Sequence, residues 1–282
     1  MSRPTSPLLT LLNHHDRWVV LTGAGISARS GIPTYRDAKG TWLRTEPIQH
    51  GEFLQQEAKR QRYWGRSLIG WPGVRDAQPN DIHHALADLE QQGLIDLIIT
   101  QNVDRLHQRA GSNKVIDLHG RLDRVLCRDC GAGYEREEIQ QHLQRLNPHY
   151  AGFTAQARPD GDADLDDHQV ASVKVADCLA CGGVLMPDVV FFGGSVPRER
   201  VESCKRALRS SEALLVLGSS LQVYSGYRFC KEAKQLGIPL YIVNEGVTRA
   251  DDLADLKIEH DAMEIFLAAA HDYAQAVTGI NV

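Results

Sequence analysis

The chain has 282 residues, of which 43% are hydrophobic and 24% charged, and its formal net charge is −5 at pH 7. These proportions are those of a globular protein, and the negative charge disfavours a nonspecific nucleic-acid binder. No apolar run approaches the roughly 20 residues that a membrane helix requires. The length favours one large domain with a smaller domain inserted into it.

The first residues, from Met1 to Arg17, include several leucines but no sustained hydrophobic run and no small-residue cleavage site. We therefore expect no signal peptide, no membrane segment and a cytoplasmic location. We also expect a monomer without direct nucleic-acid partners. Disulfides are not expected in such a protein, so Cys204 and Cys230, each alone in a predicted helix, are interpreted as small buried hydrophobes.

A short apolar run and a glycine turn come next. Val19 to Thr22 is too short for a free helix and is typical of a buried strand. The segment Gly23-Ala-Gly-Ile-Ser-Ala28 then fits the G-x-G-x-x-G/A pattern, in which glycines let the backbone approach a pyrophosphate at a helix N-terminus. Any tight strand-to-helix turn can use glycines, so the pattern alone is a weak indication of a nucleotide site. The following loop carries Tyr35, Arg36 and Asp37, which are well placed to close over a ligand.

Residues 38–79 are interpreted as a small helical insertion, because apolar residues recur there at roughly helical spacing among many charges. The sequence Trp71-Pro-Gly73 is expected to stop its helix. Asn80 then caps a predicted helix from Asp81 to Gln92. The near-continuous apolar run from Leu94 to Thr100 is typical of a parallel strand covered on both faces.

Polar side chains follow this strand directly. Because ligands bind at the carboxyl ends of strands in open α/β sheets, Gln101, Asn102 and Asp104 are candidates for ligand contacts. Helix capping by Asn102 and Asp104 is the alternative interpretation. A short strand, Val115 to Leu118, delivers His119 to the same edge. A lone histidine is more often structural, but one at a strand end followed by glycine is a candidate general base.

Four cysteines form two C-x-x-C pairs, Cys127 with Cys130 and Cys178 with Cys181. Two such turns supply the four thiolates of a tetrahedral structural zinc site. A redox dithiol is disfavoured because neither pair opens a thioredoxin-like βα unit. The acidic run between the pairs, Pro159 to Asp167, is expected to be a solvated loop, since it lacks the ligand spacing of a calcium loop.

Alternating strands and helices make up the C-terminal part of the chain. Gly218-Ser-Ser220 follows one strand and Asn244-Glu-Gly246 another, and the small, donor-rich turn at Gly218 suits phosphate or ribose. The alternation predicts an α/β fold, a doubly wound parallel sheet interrupted by small insertions. The predicted strands are Val189–Gly194, Ala213–Leu217 and Leu240–Val243, and the predicted helices are Pro197–Arg209, Tyr224–Leu236 and Ala262–Val277.

These motifs, taken together, resemble those of the sirtuin family, and they run from about residue 18 to residue 262. Within the family, the sequence Arg62-Tyr-Trp-x-Arg66, the long gap between the cysteine pairs and the segment from Gly218 to Phe229 resemble the class II branch, most closely human sirtuin four. The matching motifs are Gly23-Ala-Gly-Ile-Ser27 with Tyr35-Arg-Asp37, Thr100-Gln-Asn-Val-Asp104, His119-Gly120, both cysteine pairs, Pro187-Asp-Val-Val-Phe-Phe-Gly193, Gly218-Ser-Ser-Leu221 and Val243-Asn244.

The resemblance implies an NAD-dependent protein-lysine deacylase with NAD and zinc as cofactors and acyl-lysine proteins as substrates. The products would be nicotinamide and O-acyl-ADP-ribose. It also implies a Rossmann-like NAD-binding domain from residues 1–37, 80–120 and 188–282. The smaller domain would combine a helical module, residues 38–79, with a zinc module, residues 121–187.

The same resemblance assigns roles to individual residues. His119 would act as the base on a ribose hydroxyl, with Asn102 as the second catalytic residue. A substrate peptide would add a strand beside Val189, Phe191, Phe192 and Gly193. The residues implied for cofactor binding are Gly23, Ala24, Gly25, Ser27, Tyr35, Arg36, Asp37, Gln101, Asn102, Val103, Asp104, Gly218, Ser219, Ser220, Asn244, Glu245, Gly246 and Ala262.

Two positions depart from the family pattern. Leu118 precedes His119 where many relatives carry glutamate, and Gly194 stands where glutamate is common.

Tyr63 and Arg66 have the Tyr-x-x-Arg spacing that meets an acyl carboxylate in class II relatives, and one helix would present both on one face. The alternative is an aromatic packing residue beside a surface arginine.

Two other functions remain open from the sequence. A mono-ADP-ribosyltransferase would use the same NAD pocket with a protein side chain in place of the acyl-lysine. A noncatalytic NAD-sensing or zinc-ribbon interaction module is the second alternative, and the intact Asn102, Asp104 and His119 speak against it.

Overall fold

The computed structural model describes residues 6–35 and 47–279, so Arg36 and Asp37 lie outside the described residues. Within these ranges no helix combines the length and the apolar character needed to cross a bilayer. The helices are α1 Pro7–Leu12, α2 His50–Gln55, α3 Glu57–Asp76, α4 Asp81–Gln91, α5 Leu106–Arg109, α6 Arg136–Leu146, α7 Asp167–Val170, α8 Arg198–Ser210, α9 Tyr224–Leu236 and α10 Ala262–Thr278. The strands are β1 Trp18–Thr22, β2 Ile95–Thr100, β3 Val115–Asp117, β4 Gly120–Cys127, β5 Gly133–Glu135, β6 Leu185–Val189, β7 Ala213–Leu217, β8 Leu240–Val243 and β9 Leu256–Ile258.

A six-stranded parallel sheet has the order β3-β2-β1-β7-β8-β9. The chain order therefore runs outward in one direction from β1 to β3 and in the other from β7 to β9. The reversal lies between β1 and β7, and in such sheets ligands bind at the carboxyl ends of the strands at this point. The predicted doubly wound, Rossmann-like sheet is confirmed.

Helices cover both faces of the sheet because alternate residues of a strand point to opposite sides. Trp18 and Val20 of β1 belong to an apolar cluster that includes residues of α1, α4 and α10. Val19 and Leu21 belong to a second cluster with residues of α8 and α9. All five residues of β1 are buried, as expected of a central strand.

A second, three-stranded antiparallel sheet has the order β5-β4-β6. Trp64 and Leu68 of α3 share an apolar cluster with Val125 of β4 and with Ile139 and Leu143 of α6. The helical segment and the cysteine-bearing segment are therefore packed together. We call α2, α3 and the chain from β4 to β6 the small lobe.

Helix α3 continues through Pro72 to Asp76, so the predicted stop at this proline is wrong. Proline has no N–H to donate to the carbonyl four residues earlier, which is that of Leu68. The side chain of Gln140 supplies the missing donor, with its Nε2 2.8 Å from the Leu68 oxygen. Burial of Trp71 and Val74 stabilises the turns on either side of the proline.

The acidic run from Pro159 to Asp167 is not a solvated loop. Ala163 and Leu165 are buried, and the backbone of this run lies against α3. A Cβ atom at Gly70 would lie only 2.4 Å from the carbonyl oxygen of Asp162. The small and apolar residues that lie between the acidic residues therefore position this segment against α3.

Candidate active site

A cleft of about 1480 Å³ lies between the large sheet and the small lobe. It exceeds the roughly 300–1,000 Å³ of a drug-sized ligand site, so it has room for a dinucleotide and part of a second substrate. Among the predicted cofactor residues, the cleft is lined by Gly23, Ala24, Gly25, Ser27, Tyr35, Gln101, Asn102, Val103, Asp104, Gly218, Ser219, Ser220, Asn244 and Glu245. Among the predicted catalytic and substrate residues, it is lined by His119, Asn102, Tyr63, Arg66, Val189, Phe191, Phe192 and Gly193.

Two predicted cofactor residues are placed differently. The side chain of Ala262 is fully buried in the apolar cluster on one face of the sheet, and the next residue, Met263, lines the cleft instead. Gly246 follows Asn244 and Glu245 in the turn after β8, and its carbonyl lies 3.4 Å from the Asn244 side-chain nitrogen. Asn244 and Glu245 line the cleft, whereas Gly246 does not.

The glycines of the first turn allow two loops to pack together at the switch point. A Cβ atom at Gly23 would lie 2.7 Å from the Ser219 Cβ, and one at Gly25 would lie 2.8 Å from the Gly218 oxygen. Gly218 itself has a φ of 62°, a left-handed conformation that favours glycine. The small residues therefore serve the contact between the turns after β1 and β7, and these turns form one continuous wall.

Asn102 is fixed by the first turn. Its side-chain nitrogen donates to the Gly23 carbonyl and to the Ser27 hydroxyl, both at 3.0 Å. The Ser27 hydroxyl in turn donates to the Asp104 carboxylate at 2.7 Å. With both amide hydrogens used, Asn102 retains its Oδ1 atom as the acceptor for a ligand. Asp104 also accepts from the backbone nitrogen of Leu106, the first residue of α5, although the N-cap position of that helix is Arg105. Burial raises the pKa of Asp104.

His119 lies at the end of the chain segment that links β3 to β4, beside the end of β2. Its Nδ1 atom is 3.0 Å from the carbonyl oxygen of Gln101 and its Nε2 atom is 2.7 Å from the Ser225 hydroxyl. A carbonyl only accepts, so this network assigns the proton to Nδ1 and the lone pair to Nε2. Burial lowers the pKa of His119 to about 4, although the Gln101 carbonyl opposes this shift. The imidazole is therefore neutral at pH 7 and presents a base to the cleft.

Gln101 connects three parts of the site. Its backbone nitrogen donates to the Thr22 carbonyl of β1, and its own carbonyl holds His119. Its side-chain oxygen accepts from the Ser219 hydroxyl at 2.5 Å. The turn after β2 is thereby tied to the turns after β1 and β7.

Ser225 is a member of the site that sequence reasoning missed. It lies in the first turn of α9, within the segment Gly218 to Phe229 that resembles the class II branch, but the resemblance assigned it no role. Serine is common at helix starts for capping, so its residue type carries no further signal. Only the distance to His119 across the fold reveals it.

The segment predicted to pair with a peptide is only partly a strand. Strand β6 ends at Val189, and the backbone nitrogen of Val190 donates to the His119 carbonyl at 2.7 Å. The carbonyl of Phe192 accepts from the His50 nitrogen, also at 2.7 Å. The predicted strand over Val189–Gly194 is therefore wrong beyond Val189, because contacts with the helical segment and with His119 replace sheet pairing.

Tyr63 and Arg66 both face the cleft from α3. The Tyr63 ring packs against Phe191, with ring centroids 5.4 Å apart. The guanidinium of Arg66 donates to the Leu165 carbonyl at 2.5 Å and lies 3.8 Å from the Asp162 carboxylate. Arg66 is only 7% exposed, so the interpretation as a surface arginine is wrong.

The four paired cysteines converge at one end of the small lobe, with all their sulfur atoms within 4.8 Å of one another. The sulfurs of Cys127 and Cys181 are 3.6 Å apart, and those of Cys130 and Cys178 are 3.7 Å apart. Four thiolates around zinc at 2.3 Å would be separated by about 3.8 Å, so the donor set fits this metal. The Tyr134 hydroxyl, 3.1 Å from the Cys178 sulfur, lowers the pKa of that thiol, whereas the neighbouring Cys130 thiol raises the pKa of Cys181.

Comparison with known proteins agrees with this geometry. The Sir2 family profile matches residues 23–225. The NAD-dependent protein deacetylase 2 of Bradyrhizobium diazoefficiens is 54% identical over 245 residues, which cover 87% of this chain and 90% of the relative. The mitochondrial NAD-dependent protein lipoamidase sirtuin-4 of Bos taurus is 47% identical over 88% of this chain and 80% of the relative.

Solved structures give the same result. A Sir2 complex with a p53 peptide and NAD+ has a TM-score of 0.75 and 32% identity, covering 99% of this chain and 100% of that chain. A Sir2 variant with deacetylated p53 peptide and 3'-O-acetyl ADP ribose has a TM-score of 0.76 and 33% identity, covering 94% and 96%. From the sequence profile, the relatives and the shared fold, we conclude that the chain belongs to the Sir2 family.

Proposed function

We propose that this protein is an NAD-dependent protein-lysine deacylase that yields nicotinamide and O-acyl-ADP-ribose. The observation that carries the proposal is the neutral imidazole of His119, which opens onto the same cleft as the glycine turns and Asn102. Relatives that cover most of this chain are named NAD-dependent protein deacetylases. Related structures hold NAD+ or an acetylated ADP-ribose beside a peptide, which supports the same chemistry.

Bound NAD would supply a reactive ribose carbon and a leaving nicotinamide. We propose that the backbone from Gly23 to Ser27 faces the pyrophosphate, since the glycines of this turn let the backbone approach a phosphate closely. Ser219 and Asn244 would contact the adenosine half. Asn102 would offer its Oδ1 atom on the nicotinamide side, held in direction by Ser27 and Gly23. The remaining predicted cofactor residues, Arg36 and Asp37 among them, stay predictions.

His119 would accept a proton from a sugar hydroxyl at Nε2. The Gln101 carbonyl keeps the Nδ1 proton in place, so the lone pair is fixed on the side of the cleft. A positioned base in a preorganised polar site needs little reorganisation when charge develops. The four cysteines would hold a structural zinc, which has no open position for a reaction when all four ligands are protein atoms.

We also propose the domain division, the monomeric state and the cytoplasmic location as the sequence predicts them. The free thiols of Cys204 and Cys230, both buried, are compatible with a reducing compartment. Sedimentation and cell fractionation test the last two points. A dimer in solution, or recovery from another compartment, would contradict them.

The proposed function is tested by incubating the protein with NAD and acyl-lysine peptides. We expect the wild type to release nicotinamide and to lower the mass of the peptide by the mass of the acyl group. His119→Ala should lose this activity by several orders of magnitude, whereas the control His84→Ala, at an exposed histidine of α4, should retain it. Nicotinamide release with ADP-ribose added to a protein would instead support a transferase. Absence of nicotinamide release by the wild type would contradict any enzymatic use of NAD.

A further inference from the structure

The atom of His119 that the proposed function needs is already hydrogen bonded within the protein. Nδ1 gives its proton to the Gln101 carbonyl, so the contact of 2.7 Å between Nε2 and the Ser225 hydroxyl has the serine as donor. A neutral imidazole has one lone pair at its unprotonated nitrogen. A sugar hydroxyl that reaches this lone pair must therefore replace the serine hydroxyl.

The fold holds Ser225 in this place. It lies in the first turn of α9, and its side chain and backbone together are only 9% exposed. The next residue, Gly226, allows a close approach, because a Cβ atom there would lie 2.7 Å from the Gln101 side-chain nitrogen. Phe229 and Cys230, one turn further along, are fully buried against the sheet. The hydroxyl is thus presented by an anchored helix.

The charges around His119 keep the serine in the donor role. Arg200 of α8 donates to the Leu118 carbonyl, next to the histidine, and Arg228 of α9 lies in the cleft wall. Both cations disfavour an imidazolium, in the same direction as burial, while the Gln101 carbonyl opposes them. A neutral ring accepts at Nε2, so serine must donate at neutral pH.

We propose that Ser225 is a positioning residue for His119, which holds the imidazole by its Nε2 atom and is exchanged for a sugar hydroxyl when NAD binds. The exchange replaces one neutral hydrogen bond with another, so the ring keeps its orientation and its charge. Ser225 acts through His119 and takes no part in the proton transfer itself. This inference rests on the proposed function, because it needs a sugar hydroxyl in the cleft.

The test is nitrogen NMR of the full chain with labelled histidine at pH 7.5. Without NAD, the His119 Nε2 resonance of the wild type should lie at the position of a hydrogen-bonded imidazole nitrogen. Ser225→Ala should move it downfield to the unbonded position, whereas Ser225→Thr, which retains a hydroxyl, should leave it near the wild type. The control Ser210→Ala removes an exposed hydroxyl of α8 and should change nothing.

Addition of NAD without peptide should remove the difference between the wild type and Ser225→Ala, because the sugar hydroxyl now donates to Nε2 in both. NAD should also bind about three-fold more tightly to Ser225→Ala, since one hydrogen bond no longer has to be exchanged. An unbonded Nε2 in the NAD-free wild type would overturn the proposal whether or not the variants fold. Weaker NAD binding by a folded Ser225→Ala would also overturn it. Failure of the proposed function would appear separately, as a wild type that releases no nicotinamide.

Discussion

Two buried histidines behind the site are neutral in the folded protein. The Nε2 atom of His107 is 2.9 Å from the Thr22 hydroxyl at the end of β1. The Nδ1 atom of His83 lies 3.3 Å from the backbone nitrogen of Asn80 and accepts from it, and the two rings are 5.1 Å apart. Burial lowers the pKa of His83 to about 4 and that of His107 well below its ordinary value.

These histidines should make the protein less stable in mild acid. The unfolded chain takes up protons on both residues below pH about 6.5, whereas the folded chain does not until the pH reaches the folded pKa values. Above pH 6.5 the free energy of unfolding is therefore unaffected by the protonation of these two residues, and it falls as the pH drops from 6.5 toward 4. His83→Gln should reduce the slope of unfolding free energy against pH in this window by up to about 1.4 kcal/mol per pH unit. Denaturant titrations at several pH values measure this slope.

The matched control is His84→Gln, because His84 is the next residue of α4 and is exposed. It should leave the slope near pH 6 unchanged, because the charge of His84 only helps burial to lower the pKa of His83 and so affects the acid end of the window. Equal slopes for the wild type and His83→Gln would contradict the assignment of acid sensitivity to the buried ring.

Arg66 decides between two interpretations of the acyl pocket. Its guanidinium is engaged by the Leu165 carbonyl, and the Asp162 carboxylate beside it would repel a second carboxylate. We expect Arg66→Ala to lower kcat/KM for acetyl and glutaryl peptides by similar factors. A direct hydrogen bond to the acyl carboxylate would instead change the ratio by more than about ten-fold. Tyr63→Phe, which removes only a hydroxyl, provides the comparison at the neighbouring position.

Helix α3 continues through a proline at which the sequence predicts that the helix ends. Its proline would leave the Leu68 carbonyl without a helical donor, and the Gln140 side chain of α6 fills that place. Gln140→Ala should lower the free energy of unfolding by about 1–3 kcal/mol, because a buried carbonyl loses its partner. The exposed neighbour Gln141→Ala should change it by less than about 0.5 kcal/mol. Urea unfolding gives both values.

A double variant isolates the hydrogen bond from the lost packing. Pro72→Ala restores a backbone N–H that can donate to the Leu68 carbonyl. Gln140→Ala should therefore cost less in the Pro72→Ala background than in the wild type. Equal costs in the two backgrounds would show that Gln140 does not replace the missing donor.

The boundaries of several elements could be predicted from sequence because their signals are local. β7, α9 and β8 have the predicted bounds, since each is a short apolar run or a periodic segment between turn residues. The continuation of α3 through Pro72 and the placement of the chain at Asp162 could not be predicted, because each depends on partners that are distant in sequence. For the same reason His119 could be singled out from its strand end, whereas Ser225 could not.

At the scale of the whole molecule, two lobes share one cleft and each has a core of its own, while a smaller apolar cluster joins Trp71 and Val74 of α3 to Val103 and Leu106 after β2. The large sheet is stabilised by apolar clusters on its two faces, and the small lobe by its own cluster, which includes Cys127 and Cys178. Two of the four thiols are therefore part of the core of the small lobe. Binding of zinc by all four thiolates would be part of the folding free energy of this lobe.

Zinc removal should loosen the small lobe selectively. In the presence of a chelator, hydrogen exchange should accelerate in β4, β5 and β6, while β1, β2 and β7 stay protected. Tyr134→Phe, which removes the hydroxyl next to Cys178, should speed zinc release without changing the exchange of the large sheet. Uniform loss of protection in both sheets would contradict the separation of the two cores.

The central claim is that the glycine turns, Asn102 and His119 surround one sugar ring of bound NAD. A crystal structure of the protein with NAD and an acyl-lysine peptide tests this most directly. We predict a hydroxyl of the nicotinamide ribose within hydrogen-bond distance of the His119 Nε2 atom, with the Ser225 hydroxyl displaced from it. A ribose bound away from His119, or a cleft closed to the nucleotide, would contradict the account.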